Sequence, residues 1–121
     1  MKRTLPAAFF ALSALNISVS CEEESNSESC TGVLATYSTT VKLHLDASCA
    51  LTGCHVSMDP QAGFDFSTYA SASAAAKAQG DKILCAIQHK AGCVPMPPAG
   101  GKLDASVIRV LECWIQNGAP Q

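Results

Sequence analysis

The feature that most limits how this chain can fold is the stretch Cys49-Ala50-Leu51-Thr52-Gly53-Cys54-His55. Two thiols stand five positions apart and an imidazole follows the second directly. Each sulfur can add to one vinyl group of a porphyrin as a thioether, and the imidazole can then offer a ring nitrogen to the iron as proximal ligand. Four residues lie between the cysteines, where two is the commoner spacing. The longer loop can span the same two vinyls at a higher entropic cost of closure. The same residues also suit a plain disulfide beside an unrelated histidine, or a zinc site.

A chain of 121 residues is enough for one small domain. With 48% hydrophobic and 15% charged residues it lies outside the composition of disordered chains. Met1-Lys2-Arg3 is a basic start, and Leu5 to Val19 is an apolar run interrupted by Pro6 and Asn16, too short to span a bilayer comfortably. Small residues at Ser18-Val19-Ser20 precede Cys21. This pattern predicts cleavage after Ser20 and a diacylglycerol on the Cys21 thiol, with plain secretion as the alternative. Residues 1–20 are read as a signal peptide, 21–32 as an acidic, Ser-rich tether, and 33–121 as the folded domain.

The acids of the tether (Glu22, Glu23, Glu24, Glu28) account for the imbalance of charge, because from Cys30 onward six acidic residues meet six basic ones. A neutral domain gives no reason to expect nucleic acid as a partner. Membrane contact is expected through the lipid at Cys21. The expected location is therefore exported, membrane-anchored, facing the periplasm or on the outer surface.

Cysteine arithmetic agrees with export. If Cys21 carries lipid and Cys49 and Cys54 carry haem, then Cys30, Cys85, Cys93 and Cys113 remain of the seven. An even remainder in an oxidising compartment predicts two disulfides, with three connectivities open. Cys85 with Cys93 would close a short loop and Cys30 with Cys113 would tie the ends of the domain, and we favour this set. Without haem, six cysteines could form three bridges in a stapled binding module.

Along the chain, residues 33–46 fit two periods. Leu34, Tyr37, Val41 and Leu45 fall at helical spacing, while Tyr37, Thr39, Val41, Leu43 and Leu45 alternate as in a strand, which the β-branched residues also favour. We assign a helix, because a haem site wants one leading into Cys49. His44 in this segment reads as a surface or packed residue. Residues 56–66 read as a loop, with Asp59-Pro60 and Gly63 as turn signals. Ser67 is expected to cap an alanine-rich helix to about Gln79, ended by Gly80. Phe64, Phe66 and Tyr69 are core residues or the wall of a pocket.

A second helix is expected from Asp81 to about Lys90, stopped by Gly92, with His89 solvated near its end and favoured there by the helix dipole. Three prolines and two glycines in Cys93 to Gly101 predict a stiff loop. Met96 within it suits a weak thioether ligand, or else plugs the core. The last helix is capped by Asp104 and stopped by Gly118, with Val107, Ile108, Val110, Leu111, Trp114 and Ile115 as its apolar face. The Trp114 indole N–H wants an acceptor, which in a haem protein could be a propionate; Arg109 could reach one too, or face solvent.

Taken together, Cys49-x4-Cys54-His55, Phe66-Ser67-Thr68-Tyr69, Met96-Pro97-Pro98 with Gly101 and Leu103, and Cys113-Trp114-Ile115 with Gly118-Ala119-Pro120 resemble a small class I-type cytochrome c. The resemblance runs from about Thr40 to Ala119. It is most similar to Bacteroidetes-type lipoprotein cytochromes with the C-x4-C-H haem motif, whose surface-export signals the acids after Cys21 also resemble. It implies an all-α domain wrapped around one covalently attached haem c, with His55 as proximal and Met96 as distal iron ligand. It further implies single-electron transfer with an exported redox protein or enzyme, so that the chain is an electron carrier rather than an enzyme. The Cys85 and Cys93 pair beside the Met loop is not a general feature of that family.

Other functions compete with the cytochrome. An iron left open by Met96 would allow peroxidase-like or gas-sensing chemistry. A non-haem, disulfide-stapled surface lipoprotein would act as a binding module. A zinc or copper site could draw on Cys49, Cys54, His55 and either Met58 or Met96.

Overall fold

The structure, a computed structural model, describes residues 29–121. The expected signal peptide (1–20), Cys21 with its expected lipid and the tether as far as residue 28 lie outside the described residues. Among the described residues the chain is all-α, with three α-helices and no strand.

A π-type turn, Tyr37–Val41, runs into the first helix, α1 (Lys42–Ser48). The competition between helical and alternating patterns is settled by burial. Tyr37, Val41 and Leu45, each four residues from the next, are all buried, whereas Leu43 is 69% exposed. One helical face enters the core and the alternating set does not.

The second helix, α2, spans Tyr69–Ile87. Its cap is Thr68 rather than the expected Ser67: the Thr68 hydroxyl accepts the Ser71 N–H at 3.2 Å. Ser67 is already engaged, because its hydroxyl (2.6 Å) and its N–H (2.9 Å) both donate to Asp65. Those two bonds, the hydroxyl foremost, hold the Asp65 carboxyl below the usual carboxylate range.

The break expected at Gly80 is a bend inside one helix. Gln79 leaves helical geometry (φ −140°, ψ 31°), and the helix resumes to Ile87, short of the expected end at Lys90. Gly80, next to that break, also serves contact. A Cβ there would stand 2.5 Å from Cγ2 of Ile115, so the absent side chain lets the third helix come close.

That helix, α3 (Ala105–Gln116), begins after Asp104 as expected, although the Asp104 side chain makes no capping bond. It buries Ile108, Leu111, Cys113 and Trp114 and packs on both α2 and the π-type turn. The residues after it lock the three helical segments together. The Ala119 carbonyl accepts the Tyr69 hydroxyl (3.2 Å) and the Ser73 hydroxyl (3.3 Å) of α2. The Pro120 carbonyl accepts the Tyr37 N–H (3.0 Å) and the Trp114 indole N–H (2.9 Å).

Both favoured disulfides are present, Cys30–Cys113 and Cys85–Cys93. Residues 29 and 30, read from the sequence as tether, are thus attached to α3, where Arg109 also donates to the Ser29 carbonyl. Among the described residues no helix is long and apolar enough to cross a membrane.

Candidate functional site

The cysteine motif begins where α1 ends. The N–H groups of Cys49 and Ala50 both donate to the Leu45 carbonyl at 2.8 Å, so the helix closes tightly before the chain turns away. Cys54 N–H returns to the Leu51 carbonyl (2.9 Å), His55 N–H reaches the Cys49 carbonyl (3.2 Å), and Gly53 takes the left-handed conformation the turn needs (φ 78°). The four residues between the cysteines therefore form an ordered loop that brings Cys49, Cys54 and His55 together.

Both thiols are free, while the other four described cysteines are paired. Burial, with a smaller contribution from the neighbouring Cys54, pushes the Cys49 thiol up from its ordinary 9.0 to about 11. At neutral pH Cys49 is a protonated thiol, reluctant to exchange with disulfides or to bind a metal as thiolate.

The segment from Phe64 to Phe66 folds back onto His55. Phe66 N–H donates to the His55 carbonyl at 2.9 Å, and the two phenyl rings present themselves to the imidazole at centroid distances of 6.1 Å (Phe64) and 5.2 Å (Phe66). Nδ1 of His55 lies 3.1 Å from the Phe64 carbonyl oxygen. A carbonyl only accepts, so Nδ1 carries a proton, and in the neutral ring Nε2 is the nitrogen with the lone pair. The imidazole is thereby set in one tautomer and one orientation, as a metal-binding histidine requires. Phe64 and Phe66 are buried, and Lys82 of α2 places Nζ 5.2 Å from the Phe64 ring centroid.

Met96 lies on a separate loop at the far end of α2. It is half-buried against the core, and its N–H donates to the Ala86 carbonyl at 3.0 Å. His89, expected to be solvated, is instead half-buried with Nε2 3.1 Å from the Met96 carbonyl oxygen. The sequence offered one signal for this arrangement: Cys85 and Cys93 straddle His89 and, once bonded, fold the Met loop back onto the helix end.

Trp114 and Arg109 are engaged away from this loop. The indole N–H that a propionate would need is donated to Pro120. Arg109 contacts Glu112 (3.5 Å) and the Ser29 carbonyl. Met58 is 98% exposed. Among the described residues no three His, Cys, Asp or Glu side chains gather closely enough to hold a bare metal ion. An open groove of about 700 Å³ beside the α2 bend is lined by Lys77, Gln79, Gly80, Ile115 and Gln116 among others, and by none of the site residues expected from the sequence. Comparisons with family models, curated proteins and solved structures give no match to this chain.

Proposed function

We propose that this chain is a monohaem c-type cytochrome, a cytochrome c-like helical domain wrapped around a covalent haem, that carries single electrons in the cell envelope. The observation that carries the reading is the His55–Phe64 hydrogen bond, which leaves Nε2 of His55 as a prepared iron ligand beside two unpaired thiols. The donor set has the chemistry the group calls for: two free thiols, an imidazole and a thioether. Cys49 and Cys54 would hold it by thioethers, His55 Nε2 would be the proximal ligand and the Met96 sulfur the distal one. A porphyrin brings four nitrogens of its own, so these two side chains are the donors the protein would add.

When bound, the haem supplies a one-electron iron couple. The chain does the rest. The Phe64 carbonyl orients the imidazole. Phe64 and Phe66 wall the imidazole with apolar surface. A thioether ligand at Met96 would raise the potential. Leu51 within the motif and Met58 three residues after it stand exposed and would offer apolar surface to a transient partner, an exported redox protein or enzyme. Export and a lipid anchor at Cys21 belong to the same proposal, and the two disulfides suit an oxidising compartment.

The test is the absorption spectrum and mass of the full chain exported from a host that matures c-type cytochromes. A red protein carrying the haem mass covalently, lost in the Cys49→Ser/Cys54→Ser variant, is the expected result. A colourless protein at the apo mass, from a host shown to mature other cytochromes, would sink it. The second reading, a non-haem stapled binding module, would then stand on the two disulfides, which tie the fold without any cofactor.

A further inference from the structure

We propose that His89 is a positioning residue for Met96, holding the backbone of the Met loop against the end of α2. The inference rests on the cytochrome reading above and deepens it.

His89 stands two residues beyond the end of α2 with φ +55°, in the left-handed region that non-glycine residues seldom enter. Backbone strain of this kind persists where its surroundings hold it, and here it accompanies a specific contact. The ring reaches Met96, with Nε2 3.1 Å from the carbonyl oxygen. Because that oxygen can only accept, Nε2 must carry a proton.

The N–H of the same residue donates to the Ala86 carbonyl, three residues before His89. Both backbone polar groups of Met96 are thus held by one helix end. Two further restraints act on the same segment. The Cys85–Cys93 bond closes the chain between helix and loop, and Pro95 and Pro97 restrict the backbone on either side of Met96. What remains free is the rotation of the methionine side chain. Removing the His89 donor releases one of the two hydrogen bonds to the Met96 backbone and lets the loop carry the sulfur away.

The experiment uses the full haem-loaded chain as wild type, His89→Ala and His89→Gln, since a glutamine amide N–H2 can stand where Nε2–H stands. Three readouts are taken: the covalent haem mass, the sulfur-to-iron charge-transfer band of the ferric protein, and the rate of carbon monoxide binding to the ferrous protein. His89→Ala is expected to keep its haem mass, to lose charge-transfer intensity, and to bind carbon monoxide about tenfold faster, the population shift that loss of one hydrogen bond produces. His89→Gln is expected to restore both signals.

A haem-loaded His89→Ala protein with the wild-type band and rate overturns the proposal. So does a His89→Gln protein that behaves like the alanine variant, because bulk rather than the hydrogen bond would then be at work. If His89→Ala does not fold, proton NMR of the wild type decides: an Nε2–H of His89 protected from solvent exchange upholds the contact and one that exchanges as freely as an exposed imidazole overturns it. A wild type with no covalent haem, or with haem and no charge-transfer band, removes the underlying reading, and this is known before any variant is compared.

Discussion

Trp114 donates its indole N–H to the carbonyl of Pro120 at 2.9 Å, and the same carbonyl receives the N–H of Tyr37. The residue is therefore structural. It joins α3 to the chain that follows it and, through the shared acceptor, to the turn that opens α1. Trp114→Phe should lower the unfolding free energy by about 2 kcal/mol through lost volume and a lost bond. Chemical denaturation measures the loss, while the visible spectrum of haem-loaded protein should stay as in the wild type. A shifted spectrum with unchanged stability would return Trp114 to the haem.

The buried Cys49 thiol makes the haem-free chain sensitive to alkali. In the unfolded chain this thiol ionises near 9.0, and in the folded one near about 11. The folded state therefore binds the proton more tightly, so the contribution is complete below pH 9, declines as pH rises from 9 to about 11, and is absent above. The loss amounts to about 3 kcal/mol. Denaturation of reduced haem-free protein across that window should show the decline, and Cys49→Ala should remove it. Haem-loaded protein, with Cys49 as a thioether, should not show it. Alkylation of Cys49 should also be slow at pH 8, where about one thiol in a thousand is ionised, and should climb steadily up to about pH 11.

The close approach of Gly80 to Ile115 makes a sharp steric prediction. Gly80→Ala would raise helix propensity in isolation, yet its methyl would meet Cγ2 of Ile115 at 2.5 Å. The expected result is a loss of about 2 kcal/mol. Ile115→Ala in the same chain should recover part of it, as a double-mutant cycle would reveal. A more stable Gly80→Ala protein would mean that α2 and α3 sit further apart than described.

The two disulfides should contribute unequally. Cys30–Cys113 spans 83 positions and Cys85–Cys93 spans 8. By loop-closure entropy, replacing the first pair with alanine should cost about 4.5 kcal/mol and the second about 2.5 kcal/mol. Guanidinium unfolding of the two double variants gives the order directly. A larger loss from the short loop would show that its main contribution is to the native Met96 loop rather than to the unfolded chain.

What the sequence made legible was the helical class and the cysteine pairing. The two disulfides could be anticipated by counting cysteines, and α3 by its broad, unbroken apolar face. The segment from Tyr37 to Leu45 satisfied two periods at once, and only packing against α3 selects the helix. Gly80 was read as a stop because glycine disfavours helix in isolation; the backbone does break beside it, at Gln79, but the helix then resumes, which the sequence does not reveal. Ser67 looked like the cap until Asp65 claimed its hydroxyl. The partners of Trp114 and His89 are backbone carbonyls, and a sequence does not say which carbonyl will be near.

The Cys30–Cys113 bond also decides how the domain bears load. A pull applied at the residues before Cys30 and at the end of the chain passes straight through the sulfur bridge into the last turn of α3. Everything between, including Cys49, Cys54, His55 and Met96, hangs on a closed ring outside the line of tension. A protein tugged by its leading end would stretch its margins and leave the candidate site slack.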